Sequence, residues 1–265
     1  MLAITRAIRR RLPLGSRFFS VEFNRVHESQ RASLGDSLIR VDANDNVMGS
    51  IPKLDSHLAD AVNAGIIHRA FSVFLFSRDT KALLVQKRCV SKIVFPREWA
   101  NTCCSHPLFT ESEMESVNGN EIGIKRAAVK RLNAELGLST FSPNSLSFKE
   151  KILYRQLSPG GVFGESECDY ILVGQSDSVN SVNPNPDEVE QFEWIAPGPS
   201  GSRTAQLVQF LADERNKGFP PTPWFDLMVR EQDCLESWWE GLISHGDEFM
   251  QSENSRGGDI RNFLK

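Results

Sequence analysis

The chain has 265 residues, a mass of 29.8 kDa, 40% hydrophobic and 24% charged residues, and a mean hydropathy of −0.31. No stretch approaches the ~18 apolar residues that a spanning helix needs, so channels and transporters built of membrane helices are excluded, as are collagen-like, disordered and disulfide-rich classes. Thirty basic against 34 acidic residues give a net charge of −4, which argues against nucleic acid as the main partner.

That charge is unevenly spread. Residues 1–20 hold Arg6, Arg9, Arg10, Arg11 and Arg17 and no acid, the first being Glu22. An Arg-rich, acid-free start with small and hydroxyl residues resembles a mitochondrial transit peptide. Leu2, Ile4, Ala7, Ile8, Leu12 and Leu14 supply an apolar side, and Pro13 limits the helix. Mitochondrial localisation is the expectation, against a cytoplasmic or peroxisomal alternative and an untargeted tail. Residues 21–40 read as a linker, 41–245 as the folded domain and 246–265 as a C-terminal tail. Five cysteines, at 89, 103, 104, 168 and 234, are an odd count with one adjacent pair. They read as free thiols in a reducing compartment.

Residues 71–76 and 82–87 predict two strands joined by the turn 77–80. Residues 91–109, with Pro96 and Pro107, have little period and read as a long loop. Loops of that length inside a domain are usually functional. Apolar residues at 124, 128, 132 and 136 predict a helix over 122–136, with Gly137 at its C-cap. On that helix Arg131 and Glu135 share a face. Strands follow at 150–157 and 168–174 around the turn 158–161, then a loop at 183–186 and a strand at 189–195. Helices are predicted at 203–216 and 224–243, with Pro223 in the first turn of the second. Strands, one helix, strands and terminal helices make an α+β domain.

The chemistry-bearing residues are few. His57, His68 and His106 are three of five histidines. Glu165 and Glu167, two apart on a segment leading into a strand, point to the same face. Three imidazoles and two carboxylates suit a divalent transition metal, although a lone histidine is more often a hydrogen-bonded core or surface residue. Cys104 lies two residues before His106, where a thiol can donate a proton or act as a nucleophile. Cys103 must point elsewhere in extended chain. Lys53, Arg88, Lys92 and Arg131 flank these segments. Singly they are surface charges, and converging on a pocket they would bind phosphate or diphosphate.

The order of segments is more specific. Ile66-Ile67-His68-Arg69-Ala70-Phe71, Asn101-Thr102-Cys103-Cys104-Ser105-His106-Pro107-Leu108, Arg131-Leu132-Asn133-Ala134-Glu135-Leu136-Gly137, Gly164-Glu165-Ser166-Glu167-Cys168-Asp169-Tyr170 and Thr222-Pro223-Trp224-Phe225 together resemble type I isopentenyl-diphosphate isomerases, enzymes of Nudix fold. The resemblance spans about Val41 to Ser244. It implies a Nudix-type α/β/α sandwich with a mixed sheet and extra terminal segments, and reversible conversion of isopentenyl to dimethylallyl diphosphate by protonation and deprotonation. It further implies one divalent metal (Zn²⁺, Mn²⁺ or Mg²⁺) on His57, His68, His106, Glu165 and Glu167. A Mg²⁺ ion joining the diphosphate to Glu135 is also implied, with the backbone carbonyl at the catalytic cysteine as an added ligand. Lys53, Arg88, Lys92 and Arg131 match anion-binding positions. Cys104 and Glu167 match the acid–base pair, Tyr154 a tyrosine beside the carboxyl group, and Trp224 an aromatic beside the hydrocarbon. The resemblance implies a monomer acting on a small molecule.

Two other readings compete with this one. A Nudix hydrolase would carry Arg-Glu-x-x-Glu-Glu-x-Gly, and aligned on Gly137 this chain has Lys130, Arg131, Ala134 and Glu135. Metal-assisted hydrolysis needs those missing carboxylates. The His and Cys residues could alternatively form a structural zinc site, which favours four ligands with close Cys pairs. Arg97 and Ala100 stand where smaller residues and Thr, respectively, are frequent in the family, both close to Cys104 in sequence.

Overall fold

In the computed structural model, an eleven-residue strand, Ile67–Ser77, forms the spine of a ten-stranded mixed sheet. The structure describes residues 28–116, 121–139, 141–177, 181–230, 232–252 and 260–264, and the transit-like segment 1–20 lies outside them. Within these residues the chain opens with α1 (Glu28–Ser33), β1 (Ser37–Val41) and β2 (Val47–Pro52). The short helices α2 (Lys53–His57) and α3 (Ala59–Asn63) lead into the spine strand, β3. Next come β4 (Leu83–Arg88), β5 (Trp99–Ala100), β6 (Cys103–Ser105), α4 (Glu111–Met114) and α5 (Ile122–Leu136). Then follow β7 (Leu146–Leu157), β8 (Gly164–Ser176), β9 (Val189–Ile195), α6 (Ala205–Asn216), α7 (Pro223–Arg230), α8 (Gln232–Gln251) and β10 (Ile260–Asn262).

One edge of β3 runs parallel to β8 from His68↔Glu167 to Ser77↔Ser176. Its other edge is shared in succession by β1 at Ile67–His68, β6 at Phe71–Val73 and β4 at Leu75–Phe76. Both faces are covered, so β3 and β8 are buried almost throughout instead of alternating. Phe74, Phe76, Ile171 and Val173 pack with Trp224, Phe225, Trp238, Trp239 and Leu242 of α7 and α8. Phe71, Val73, Leu75, Tyr170 and Leu172 pack on the other side with Ile124, Ala128, Leu132 and Leu136 of α5. Burial of each such large side chain contributes about 1.5–3 kcal/mol. The result is the expected α/β/α arrangement.

The helical stripe 124–128–132–136 is the buried face of α5, as its spacing predicts. Gly137 adopts φ 68° and its N–H bonds back to Asn133 O. A Cβ there would stand 2.8 Å from Asn183 O, so this cap requires glycine both for its conformation and for the close approach.

Several boundaries differ from the sequence reading. The segment 91–109 is not all loop, because β5 and β6 lie inside it. Thr102 Oγ1 donates to Leu84 O (2.6 Å) and accepts from Leu75 N (2.8 Å), while Asn101 Nδ2 donates to Val73 O and Cys103 O (both 3.0 Å). Two polar side chains thus satisfy backbone where β3 passes from β6 to β4. Glu165 and Glu167 lie within a strand, since pairing with β7 extends β8 back to Gly164. The predicted 224–243 helix is two helices, and the second continues to Gln251 past a non-helical Gly246 (φ 49°, ψ −117°). Residues 21–40, read as a linker, include α1 and most of β1, which pairs with β2. In the stretch read as a tail, Ile260–Asn262 runs parallel to Lys151–Leu153 of β7.

Candidate active site

Strand register assembles the site's centre. Arg40, His68, Glu167 and Tyr154 form one row across β1, β3, β8 and β7. Glu165, two residues back along β8, shares the face of Glu167. His57 arrives from the end of α2 and His106 from just beyond β6. The three imidazole centroids stand 4.8–4.9 Å apart.

The donor atoms of His57, His68, His106 and Glu165 lie within 4.8 Å of one another. His57 Nδ1 contacts Lys53 O (2.7 Å) and Ser56 Oγ (2.9 Å), which turns Nε2 inward. His57 Nε2 stands 3.0 Å from Glu165 Oε2, and His68 Nε2 3.7 Å from Glu165 Oε2 and 3.5 Å from Glu167 Oε1, so imidazole nitrogens and carboxylate oxygens crowd together in a buried space. An N₃O set aimed at one point suits a divalent cation. Electrostatics agree. Burial alone would lower the His68 pKa, but the Glu165 and Glu167 carboxylates outweigh it and hold His68 up at about 9. Burial, then the neighbouring His68 and His57 rings, keep His106 well below the ordinary range. Burial opposes ionisation of Glu165, but the surrounding histidines hold it well down. Glu167 stands beside this group, with His106 Nε2 2.8 Å from its Oε1.

Glu167 also accepts from the Tyr154 hydroxyl. Burial, then the Glu165 charge, raises its pKa. Cys104 faces the same cavity as Glu167, Tyr154, Trp224 and Phe163. Burial pushes the Cys104 thiol up to about 12, so it keeps its proton at neutral pH. Its neighbour Cys103 is fully buried toward α5, as extended backbone requires. Trp224 is both a core residue and part of the cavity wall. Its indole donates to Asn101 Oδ1 (3.0 Å), its ring meets Phe95 edge-on (5.5 Å), and the Arg88 guanidinium stands 5.5 Å from its centroid.

The four expected cations line this cavity with the acid–base candidates. Lys53, crowded by burial and by Arg131 and Lys92, is depressed to about 8. Arg88 donates to Phe95 O (3.1 Å) and Val94 O (3.0 Å), so it also secures the 94–95 backbone. Its Nη1 lies 3.6 Å from Cys104 Sγ. Glu135 sits behind the wall, accepting from Lys92 Nζ (3.2 Å), Arg131 Nη2 (2.7 Å) and Gln86 Nε2 (2.9 Å). Burial alone would favour its neutral form, but Lys92 and Arg131 hold it far below the ordinary carboxylate range. Metal-ligand candidates, a proton-bearing thiol, a carboxylate, an aromatic wall and a cationic edge thus converge.

Residues 66–199 match the NUDIX domain family. Over 88% of this chain and 97% of its own length, isopentenyl-diphosphate Delta-isomerase 1 of Mesocricetus auratus is 38% identical. The isopentenyl-diphosphate delta-isomerase of Phaffia rhodozyma is also 38% identical, over 83% of each chain. Isopentenyl-diphosphate Delta-isomerase I of Camptotheca acuminata is 40% identical over 80% of this chain and 86% of its own. The chain belongs to the isopentenyl-diphosphate Delta-isomerase family, with a NUDIX domain.

Neither residue flagged as a departure from the isomerase family's pattern lines the cavity. Arg97 is half exposed, paired with Glu190 and stacked 4.8 Å from Phe219. Ala100 is buried in the core beside Trp99. Three polar residues at this isomerase-family site received no role from the sequence, although Asp169 stands in the segment that carries the family resemblance. Gln86 anchors Glu135, and Glu188 joins Lys92 and Arg131. Asp169 takes the Ser72 hydroxyl on Oδ2 (2.7 Å) and leaves Oδ1 unpaired. Burial and the nearby Glu167 charge push its pKa well above the ordinary carboxylate range. Only Asp169 carried a readable signal, the period-two step from Glu165 and Glu167.

Proposed function

We propose that this chain interconverts isopentenyl diphosphate and dimethylallyl diphosphate, with Cys104 and Glu167 as its acid–base pair. The carrying observation is that a thiol that keeps its proton and a tyrosine-bonded carboxylate share one cavity with Trp224. An alkene is a very weak base, and protonating it creates a tertiary carbocation. That step needs a positioned acid and base, exclusion of water and a surface tolerant of positive charge. In this reading Cys104 and Glu167 add a proton at one carbon and remove one from another. The Trp224 face stabilises the cation by about 0.5–2 kcal/mol. Lys53, Arg88, Lys92 and Arg131 hold the diphosphate, and that remote binding energy orients the alkene.

His57, His68, His106, Glu165 and Glu167 would hold one divalent ion (Zn²⁺, Mn²⁺ or Mg²⁺), and Glu135 would hold Mg²⁺ against the diphosphate. Such ions supply charge stabilisation and fix the anion's orientation. In support, the clustering of three imidazole nitrogens and a carboxylate oxygen within 4.8 Å fits the first site, and the buried, ionised Glu135 fits the second. We further take the protein to be a monomer directed to the mitochondrion by residues 1–20.

The test is turnover of isopentenyl diphosphate by the purified chain with Mg²⁺ and Zn²⁺, beside Cys104→Ala and Glu167→Gln. Dimethylallyl diphosphate from wild type alone is expected. A folded, metal-loaded wild type that makes none would overturn the reading, and released phosphate would turn it toward hydrolysis. A fusion lacking residues 1–20 that still reaches mitochondria would overturn the targeting role.

A further inference from the structure

Lys92 and Arg131 are each shared between two buried carboxylates, Glu135 and Glu188. Arg131 Nη2 lies 2.7 Å from Glu135 Oε1 and 3.0 Å from Glu188 Oε2. Lys92 Nζ lies 3.2 Å from Glu135 Oε1 and closer still to Glu188 Oε2. The two cations and two anions cancel. Glu188 is held firmly, since its N–H donates to Asn185 O (2.9 Å) and its carbonyl accepts from Cys89 N (3.1 Å). Asn185 N in turn donates to Glu135 O (2.8 Å), which ties this loop to the end of α5. Gln30 Nε2 of α1 donates to Glu188 Oε2 (3.1 Å).

Neutralised in this way, Lys92 and Arg131 contribute little to anion binding beside Lys53 and Arg88, because an incoming diphosphate must displace carboxylates already in contact with them. Engagement of Glu135 by a divalent cation changes the balance. Lys92 and Arg131 then keep a single carboxylate partner between them and add net positive charge to the Lys53 and Arg88 side of the cavity. Close charges with little intervening water interact strongly, so one carboxylate more or less weighs heavily. We propose that Glu188 makes diphosphate binding conditional on a divalent cation, by neutralising Lys92 and Arg131 until that cation engages Glu135. The role is one of positioning and charge balance, and it rests on the diphosphate site proposed above.

The test is calorimetric titration of inorganic pyrophosphate into the full chain, with Mg²⁺ or with EDTA, for wild type, Glu188→Gln and Glu188→Asp. Wild type should bind at least ~10-fold more tightly with Mg²⁺. Glu188→Gln keeps the shape and an acceptor for Gln30 but loses the charge. It should narrow that ratio at least ~10-fold, chiefly by tightening metal-free binding. Glu188→Asp keeps the charge and should keep most of the ratio. Gln30→Ala removes a neutral contact and should leave the ratio unmoved. A purely structural role would alter melting without altering the ratio. The proposal is overturned by a Glu188→Gln ratio equal to wild type, by equal narrowing in Glu188→Asp or Gln30→Ala, or by metal-independent wild-type binding. The wild-type ratio stands as a test even if a variant fails to fold. Absence of pyrophosphate binding in wild type under both conditions would instead refute the diphosphate site itself.

Discussion

The Tyr154 hydroxyl donates to Glu167 Oε2, and the two residues sit directly opposite each other across β7 and β8. Removing that donor leaves a buried carboxylate harder to ionise. Tyr154→Phe should therefore lower kcat by roughly 10–100-fold, with bound metal retained. The pH–rate limb set by ionised Glu167 should move to higher pH. An unchanged limb in the purified variant would remove Tyr154 from the acid–base group.

The histidine cluster should bind a divalent ion in competition with protons. His68 holds its proton up to about 9, and an imidazolium is not a ligand. Zn²⁺ or Mn²⁺ affinity should accordingly rise with pH and level off as pH passes that value. His57→Ala should weaken the ion by more than the roughly 10–100-fold typical of an outer partner. Metal content after dialysis measures both effects, and full occupancy in His57→Ala would refute the assignment.

Thr102 bridges β3 and β4 with one hydroxyl. Thr102→Val keeps the volume but leaves a buried N–H and C=O without that partner, at a cost of about 2–3 kcal/mol. Thermal unfolding should fall by roughly 4–12 °C, given ~2–4 °C per kcal/mol for a domain of this size. Thr102→Ser, which keeps the hydroxyl, should lose far less. Equal losses in the two variants would show that the methyl group, not the bridge, is what matters.

Glu98 predicts a pH effect on stability. Burial raises its carboxyl from the ordinary 4.5 to about 7 against the pull of Arg88. The folded chain therefore holds a proton that the unfolded chain has already released between those values. Stability falls as pH climbs through that window and is level above it. Glu98→Gln should flatten the fall and gain, after solvent screening, about 1–2 kcal/mol at pH 8. Melting curves at pH 4.5 and 8 check this, and an unchanged difference between them would refute it.

The sequence made α5 legible because its apolar spacing, its Arg131–Glu135 pair and its terminal glycine all agree. Pairing of Glu165 with Glu167 was legible too, because strand geometry has period two. The strand's true start was not, since Gly164, Glu165 and Ser166 have little intrinsic β-preference and are extended by pairing with Leu157, Gln156 and Arg155. Asn101 and Thr102 look like loop residues in sequence. Their role is to satisfy backbone atoms of strands well away in the chain, and no local pattern encodes it. Glu188 was hidden for a similar reason. It is an ordinary acid until the loop from Asn183 folds back on the end of α5. The convergence of Lys53, Arg88, Lys92 and Arg131 was legible only through family resemblance, because charge composition says nothing about where side chains meet.

The parallel pairing of β3 with β8 has a kinetic meaning. His68 and Glu167 are neighbours separated by about a hundred residues of chain, and pairings of such long range close slowly. The three histidines and two carboxylates of the cluster are spread from His57 to Glu167. A nascent polypeptide must therefore extend into β8 before the cluster can assemble, and a capacity to bind metal would report that long-range closure.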